Sequence, residues 1–228
     1  DGDNVPDAAI GRFPVRMNSE LAMMVEKTLL YDQKSYAGSA VFAADKTFGS
    51  QSAEFVTALN GSWEIDEANL DAGSLADARK TLIDALDEGV ALASYIGHSA
   101  TTNWSSDDLF TSLDAKALNN YDRPAVVTQF GCWNTYYVDP EVFSLGHRLL
   151  LSGSNGASLV TGATALTDAY SEYQLGRRMM PLLSTPGMSV GAAIQAAKAD
   201  LATTDPHLLD VLLGYTILGD PTTVVQPE

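Results

Sequence analysis

The sequence predicts an α/β domain built on a largely parallel sheet, and two features carry that reading. Short apolar runs of buried-strand character (SAVFAAD, GVALASYIG, RPAVVTQFG, GASLVTGA) alternate with amphipathic stretches of helical spacing. No internal repeat, low-complexity tract or linker-like segment divides the chain, so residues 1–228 read as one domain.

The elements follow in order. AIGRFPV is a short extended segment closed by Pro14. Helical spacing then begins near Asn18 and Ser19, a plausible N-cap, with Leu21, Met24, Val25, Thr28 and Leu29 on one face. Ser39 to Asp45 is a strand, SQSAEFVTALNG a helix ended at Asn60-Gly61, and SWEID a short strand. Ser74 opens a helix with Asp77 near its positive end, and Leu75, Leu82, Ile83 and Leu86 form its apolar face until Gly89 stops it. GVALASYIG is a strand, followed by a loop rich in Ser, Thr and Asp and then the strand RPAVVTQFG. Glu141 to Leu151 reads as a helix, GASLVTGA as a strand, and Ser171 to Leu183 and Ser189 to Leu201 as helices. YTILGDPTTVV closes as a strand, a turn at Gly219-Asp220-Pro221, and an extended piece.

Charge and composition exclude some functions. With 13 Lys+Arg against 29 Asp+Glu the net charge is −16, a field that repels phosphate backbones and anionic membranes and argues against nucleic acid as a partner. No apolar run approaches the roughly 18 residues that a bilayer-spanning helix needs, so membrane insertion is not expected. The start at Asp1-Gly2-Asp3-Asn4 fits a chain whose leader was removed or an internal piece of a longer protein. There is one cysteine and hence no internal disulfide.

Cys132 has two readings, a small buried hydrophobe or a nucleophile. Its context bears on the choice. GVALASYIGH is a strand pattern ending on His98, and RPAVVTQFGC is one ending on Cys132. Neighbouring parallel strands would deliver both residues to one sheet edge, where α/β ligand sites gather, and 34 residues of separation leave room for the crossover. A thiol facing an imidazole is what nucleophilic acyl transfer requires. Taken singly, His98 reads equally as a capped surface group or a satisfied core residue.

The segments GVALASYIGHSATTNW and AVVTQFGCWNTYYVDP resemble the histidine and cysteine motifs of the gingipain family, cysteine peptidases of the caspase–legumain–clostripain clan. PDAAIGRFPVRMNSELAMMVEKTLLYD resembles the opening of that family's second catalytic subdomain. SLGHRLLLSGSNGASLVTGAT and YTILGDPTTVV are similar to its post-cysteine helix and strand and its closing strand. The matches run in family order over nearly the whole chain.

The resemblance implies a caspase-like three-layer α/β/α sandwich and a single catalytic subdomain of a longer secreted or cell-surface protein, accompanied by flanking domains of the same precursor. It implies an endopeptidase acting on protein or peptide through a Cys132 thioester, with His98 as acid and base and the amides of Ser99 and Cys132 as the oxyanion hole. Asp45 would orient His98, although a carboxylate there serves equally as a cap for the following loop or helix. The specificity pocket would draw on Ala165 to Tyr170: Asp168 either meets a basic side chain or is a solvated loop charge. Trp104 and Trp133 either wall the cleft or lid the core.

Two departures stand out. The family's His-Gly is here His98-Ser99, and its Ala before the cysteine is Gly131. If the oxyanion-hole amide needed a glycine-only conformation, Ser99 would strain it or turn it aside, so a non-catalytic binding or structural module is the rival reading. A transpeptidase that passes the thioester to an amine is a second catalytic one.

No cofactor is required by this chemistry. A structural calcium would suit the family, and DGDNVPD has the Asp/Asn density of a calcium loop but lacks an EF-hand's glycine and distal glutamate, which leaves a disordered acidic terminus as the other reading. His147 and His207 have no metal-ligand spacing with Cys132.

Overall fold

In a computed structural model, residues 4–139 and 141–225 are described. The elements are α1 (Asn18–Gln33), β1 (Ser39–Ala44), α2 (Gly49–Ala58), β2 (Glu64–Asn69), α3 (Leu75–Glu88), β3 (Leu92–Ile96), β4 (Ser99–Ala100), β5 (Asn103–Trp104), β6 (Phe110–Thr111), α4 (Ser112–Ala117), β7 (Ala125–Phe130), α5 (Leu145–Leu151), β8 (Ala157–Ala163), α6 (Ala169–Leu183), α7 (Val190–Thr204), α8 (Leu209–Gly214) and β9 (Tyr215–Leu218).

Six strands form one sheet in the order β2-β1-β3-β7-β8-β9, parallel except for the last pair. The central strands β3, β7 and β8 are buried along their whole length because helices cover both of their faces. On one face Ala40, Phe42, Leu92, Ile96, Val126, Phe130 and Leu159 meet α2, α6, α7 and α8 through Phe55, Leu175, Met179, Ile194, Leu201 and Val211. On the other, Val41, Ala43, Ala93, Tyr95, Val127 and Val160 meet α1, α3 and α5 through Met24, Leu82, Leu86, Leu145 and Leu149. The result is the three-layer α/β/α sandwich.

Several local rules are visible. Ser74 caps α3 by accepting the Asp77 amide, and Gly89 ends it at φ 84°, where a side chain would be strained. Ser189 caps α7 in the same way.

Other expectations need correcting. α1 is not capped by Ser19. Its N-cap is Met17, and the Glu20 carboxylate reaches back to the amides of Arg16 and Met17. Its buried face is Met24, Lys27, Thr28 and Tyr31, which leaves Leu21, Val25 and Leu29 exposed. The Lys27 ammonium reaches the carbonyls of Leu149, Leu150 and Asn155, satisfying the C-terminal end of α5. Burial lowers its pKa to about 7. The polar loop after β3 folds into a second, three-stranded sheet, β4-β5-β6, followed by α4. α5 starts at Leu145 behind a Ser144 cap rather than at Glu141, and α8 precedes the closing strand.

Candidate active site

The site is assembled by two neighbouring strands. β3 and β7 pair in parallel from Leu92↔Val126 to Ile96↔Phe130, and the Gly97 amide extends the ladder by donating to the Phe130 carbonyl at 3.0 Å. His98 lies two residues past Ile96 and Cys132 two past Phe130, so both leave the same sheet edge at the same level. Glycine precedes each. Gly97 has φ 148°, and a Cβ on it would stand 2.3 Å from the Asp45 Cβ.

His98 presents an exposed imidazole, edge-on to Phe48 with ring centroids 5.3 Å apart. Its backbone is fixed from below, since its carbonyl accepts from the Tyr95 hydroxyl and from the Ser105 amide at 2.8 Å. Tyr95 is fully buried and stacks on Trp104 with centroids 4.6 Å apart. Trp104 is itself 1% exposed, and its indole N–H donates to Gln129 Oε1 at 2.7 Å. Trp104 is therefore not a cleft wall: it is the core of the small sheet that carries the histidine loop, drawn inward because its N–H finds a buried acceptor.

Asp45 follows β1, and its amide donates to the Ile96 carbonyl at 3.0 Å, which places it at the same edge one strand away. Its carboxylate is buried and accepts from the Ser105 hydroxyl at 2.7 Å and the Lys46 amide at 2.8 Å. Neither partner is the imidazole, so Asp45 reaches His98 through Ser105 and the backbone. Ser105, at φ 63°, is a site residue that strand patterns do not reveal.

Cys132 is half-buried, and its sulfur lies 3.3 Å from the Thr167 carbonyl. Trp133 turns the chain sharply with φ 61°, its amide donating to the Ala165 carbonyl at 3.0 Å. Its half-buried ring meets Tyr136 edge-on. The loop after β8 thus borders the sulfur. Asp168 in that loop is exposed and is the N-cap of α6, its carboxylate accepting the Tyr170 amide at 2.9 Å. Tyr170 is exposed beside it. Glu172, buried on the first turn of α6, accepts from the Thr167 hydroxyl. Burial, with Asp210 and Asp168 adding to it, pushes its pKa up to about 8 against that hydrogen bond, so it holds a proton at neutral pH. Its place in a helical heptad gave no hint of this.

Ser99 joins the two tips. Its hydroxyl donates to the Cys132 carbonyl at 2.7 Å and receives Asn134 Nδ2 at 3.3 Å, while the same amide group donates to the Gly131 carbonyl at 2.8 Å. Ser99 is not among the non-glycine residues with positive φ, so its side chain costs no left-handed strain. Pairing of Ser99 with Trp104, beside the Ser105-to-His98 bond, makes this a non-hydrogen-bonded pair and turns the Ser99 amide away from β5. A Cβ at Gly131 would stand 2.4 Å from the Ser99 hydroxyl oxygen. The two departures from the family pattern are thus one: the tips have room for one side chain between them, and here it belongs to Ser99.

Among the described residues, no group of three His, Cys, Asp or Glu side chains converges to hold a metal ion. Asp1, Gly2 and Asp3 of the acidic start lie outside the described residues. No helix among the described residues is long and apolar enough to cross a membrane.

Comparison with known proteins bears on the family and the fold. A family model described as peptidase family C25 matches residues 1–226. Gingipain R2 of Porphyromonas gingivalis is 25% identical over 151 residues, covering 58% of this chain and 20% of that protein. Gingipain R1 of the same organism is 24% identical over 151 residues, covering 58% of this chain and 14% of its own length. The chain therefore spans a fifth or less of these curated relatives. The crystal structure of the Arg-specific cysteine proteinase gingipain R superposes with a TM-score of 0.86 at 18% identity, over 100% of this chain and 57% of that one. The separase of a Saccharomyces cerevisiae separase–securin complex superposes more distantly, with a TM-score of 0.64 at 14% identity over 92% of this chain and 14% of that one. At these identities the structural likeness speaks for the fold, which is caspase-like; with the family model matching from end to end, the chain belongs to peptidase family C25.

Proposed function

We propose that this chain carries the catalytic dyad of a cysteine endopeptidase, with Cys132 as nucleophile and His98 as acid–base partner. The observation that supports it is the matched register of β3 and β7, which brings both residues off one sheet edge at one level. The Cys132 thiolate attacks the scissile carbonyl. As the C–N bond breaks, protonated His98 gives its proton to the departing amine, leaving a thioester. His98 then takes a proton from water, the hydroxide attacks the thioester, and the thiolate is restored as the acid product leaves. The amides of Ser99 and Cys132 are the proposed donors to the oxyanion. Asp45 is assigned a positioning role, holding the His98 backbone through Ser105. Trp133, Asp168 and Tyr170 form the proposed rim for the substrate side chain.

The partners in this reading are peptide or protein substrates and flanking regions of the same precursor, with a secreted or cell-surface location. Cofactors and nucleic acid have no part in the reaction. A peptidyl chloromethyl ketone series with Arg, Lys, Asn or Ala at P1 tests the proposal. One member should alkylate wild-type protein at Cys132, spare Cys132→Ala, and react at least about 10²-fold more slowly with His98→Ala. Failure of every probe to label folded protein would favour a binding module. Labelling combined with peptide transfer to an added amine, without hydrolysis, would favour a transpeptidase.

A further inference from the structure

A second feature lies behind the nucleophile loop and takes no part in the chemistry proposed for Cys132. In a chain of net charge −16, two of the seven arginines, Arg12 and Arg16, line one cavity, and a third, Arg148, stacks on the same ring as Arg16. The cavity is about 190 Å³ and is lined by Arg12, Arg16, Tyr137 and His147 with the apolar Pro14 and Val138. Arg12 lies over the Tyr137 ring at 4.6 Å, and Arg16 and Arg148 lie over the Phe143 ring at 4.0 and 4.4 Å. Stacked in this way, a guanidinium spends its face on the ring and keeps its N–H edge for another partner.

Among the described residues, no carboxylate forms an ion pair with these guanidinium groups. The ion pairs among the described residues engage Lys34, Lys46, Lys80, Arg79 and Arg178, and none engages Arg12, Arg16 or Arg148. The acidic groups nearby are committed elsewhere. Glu20 accepts from the amides of Arg16 and Met17, and Asp139 from the amide of Glu141. With 29 acidic residues available, leaving three cations together and unpaired inverts the local field. His147, buried with Nδ1 2.8 Å from the Ser144 hydroxyl, registers that field. Its pKa is lowered to about 4 by burial and then by Arg16 and Arg148, with Glu20 opposing.

We propose that this cavity binds an oxyanion, a carboxylate or sulfate-type group of side-chain size, against the Arg12 and Arg16 lining it, with the charge of Arg148 behind them. The planar, always-charged guanidinium is the donor suited to such groups. Tyr137 and Val138 belong to the segment that starts at Cys132, so a bound anion would tether the far end of that segment.

His147 provides the readout. Imidazole C–H resonances are followed by NMR against pH in sodium sulfate and in sodium chloride of equal ionic strength. Sulfate should raise the His147 midpoint by on the order of half a unit relative to chloride and leave His98 and His207 in place. The response should vanish in Arg16→Gln/Arg148→Gln and weaken in Arg12→Gln, whose exposed side chain makes misfolding a poor excuse. A short peptide, acetyl-Asp-Glu-amide, tested by chemical-shift change at pH 6.5, separates sources: saturation below the sulfate concentration assigns the anion to a protein segment, and the reverse order to a free ion. An identical midpoint in both salts, equal movement of all three histidines, or an undiminished response in the variants would overturn the proposal.

Discussion

The contact between Ser99 and Gly131 allows a quantitative test of how the tips of β3 and β7 are joined. In Gly131→Ala the new methyl would fall 2.4 Å from the Ser99 hydroxyl oxygen, 2.6 Å from the Gly97 carbonyl and 3.1 Å from the Ser99 Cβ. Overpacking of this kind costs about 1–3 kcal/mol. Displacing the Ser99 hydroxyl from the Cys132 carbonyl adds about 1 kcal/mol for the lost hydrogen bond, so the single variant should lose about 2–4 kcal/mol. Ser99→Gly alone should cost about 1–2 kcal/mol, from the same hydrogen bond and the added chain freedom. In the double variant two of the three close contacts are gone and only the Gly97 carbonyl remains. The double loss should therefore fall short of the summed single losses by about 1–2 kcal/mol, as expected for residues in direct contact. Urea unfolding of the four proteins measures the coupling, and iodoacetamide alkylation of Cys132 reports whether the sulfur is presented alike. If Gly131→Ala matches wild type, or if the two losses add within about 0.5 kcal/mol, the tips are not packed as described.

Two further predictions concern the surroundings. Glu172 has a folded pKa raised to about 8 above the ordinary carboxylate value of 4.5. Its contribution is complete below pH 4.5 and is lost as pH rises through 8, because the unfolded chain releases this proton first; the slope approaches about 1.4 kcal/mol per pH unit. Glu172→Gln should flatten the stability profile between pH 5 and 7 in urea unfolding, and an unchanged slope would show that the carboxyl is charged in the fold. Trp104→Phe deprives the Gln129 carbonyl of its indole donor and should cost about 1–3 kcal/mol, without changing KM for any peptide substrate that wild type cleaves. A changed KM with unchanged stability would return Trp104 to the cleft.

Much of the fold was readable because its central strands obey a strong rule. β3 and β7 are buried on both faces and so appear as largely apolar runs, and the residues just past their ends, His98 and Cys132, are each preceded by a glycine. Elements lacking periodicity escaped. β4, β5 and β6 have two residues each and α8 has six, too short to show a period of either 2.0 or 3.6 residues. On α1 hydrophobicity points to Leu21, Val25 and Leu29, whereas Lys27 is buried to satisfy the carbonyls ending α5. Around the site, Asp45 and Asp168 were visible as acids in suitable loops, but their partners, Ser105 and the Tyr170 amide, lie in contacts that spacing does not encode. The reciprocity of Ser99 and Gly131 was present in the sequence as two separate oddities. Only their distance makes them one.

At one edge of the large sheet, β2 carries Glu64, Asp66 and Glu67 among the four exposed or half-exposed positions that precede buried Ala68. An unpaired ladder of amides and carbonyls is an invitation to a neighbouring molecule, and here like charge withholds it. Like charge along this rim, rather than shape, is what opposes the addition of a further strand there. Concentrated salt, which shortens that repulsion to about 3 Å at 1 M, is the condition under which copies should first zip together side by side.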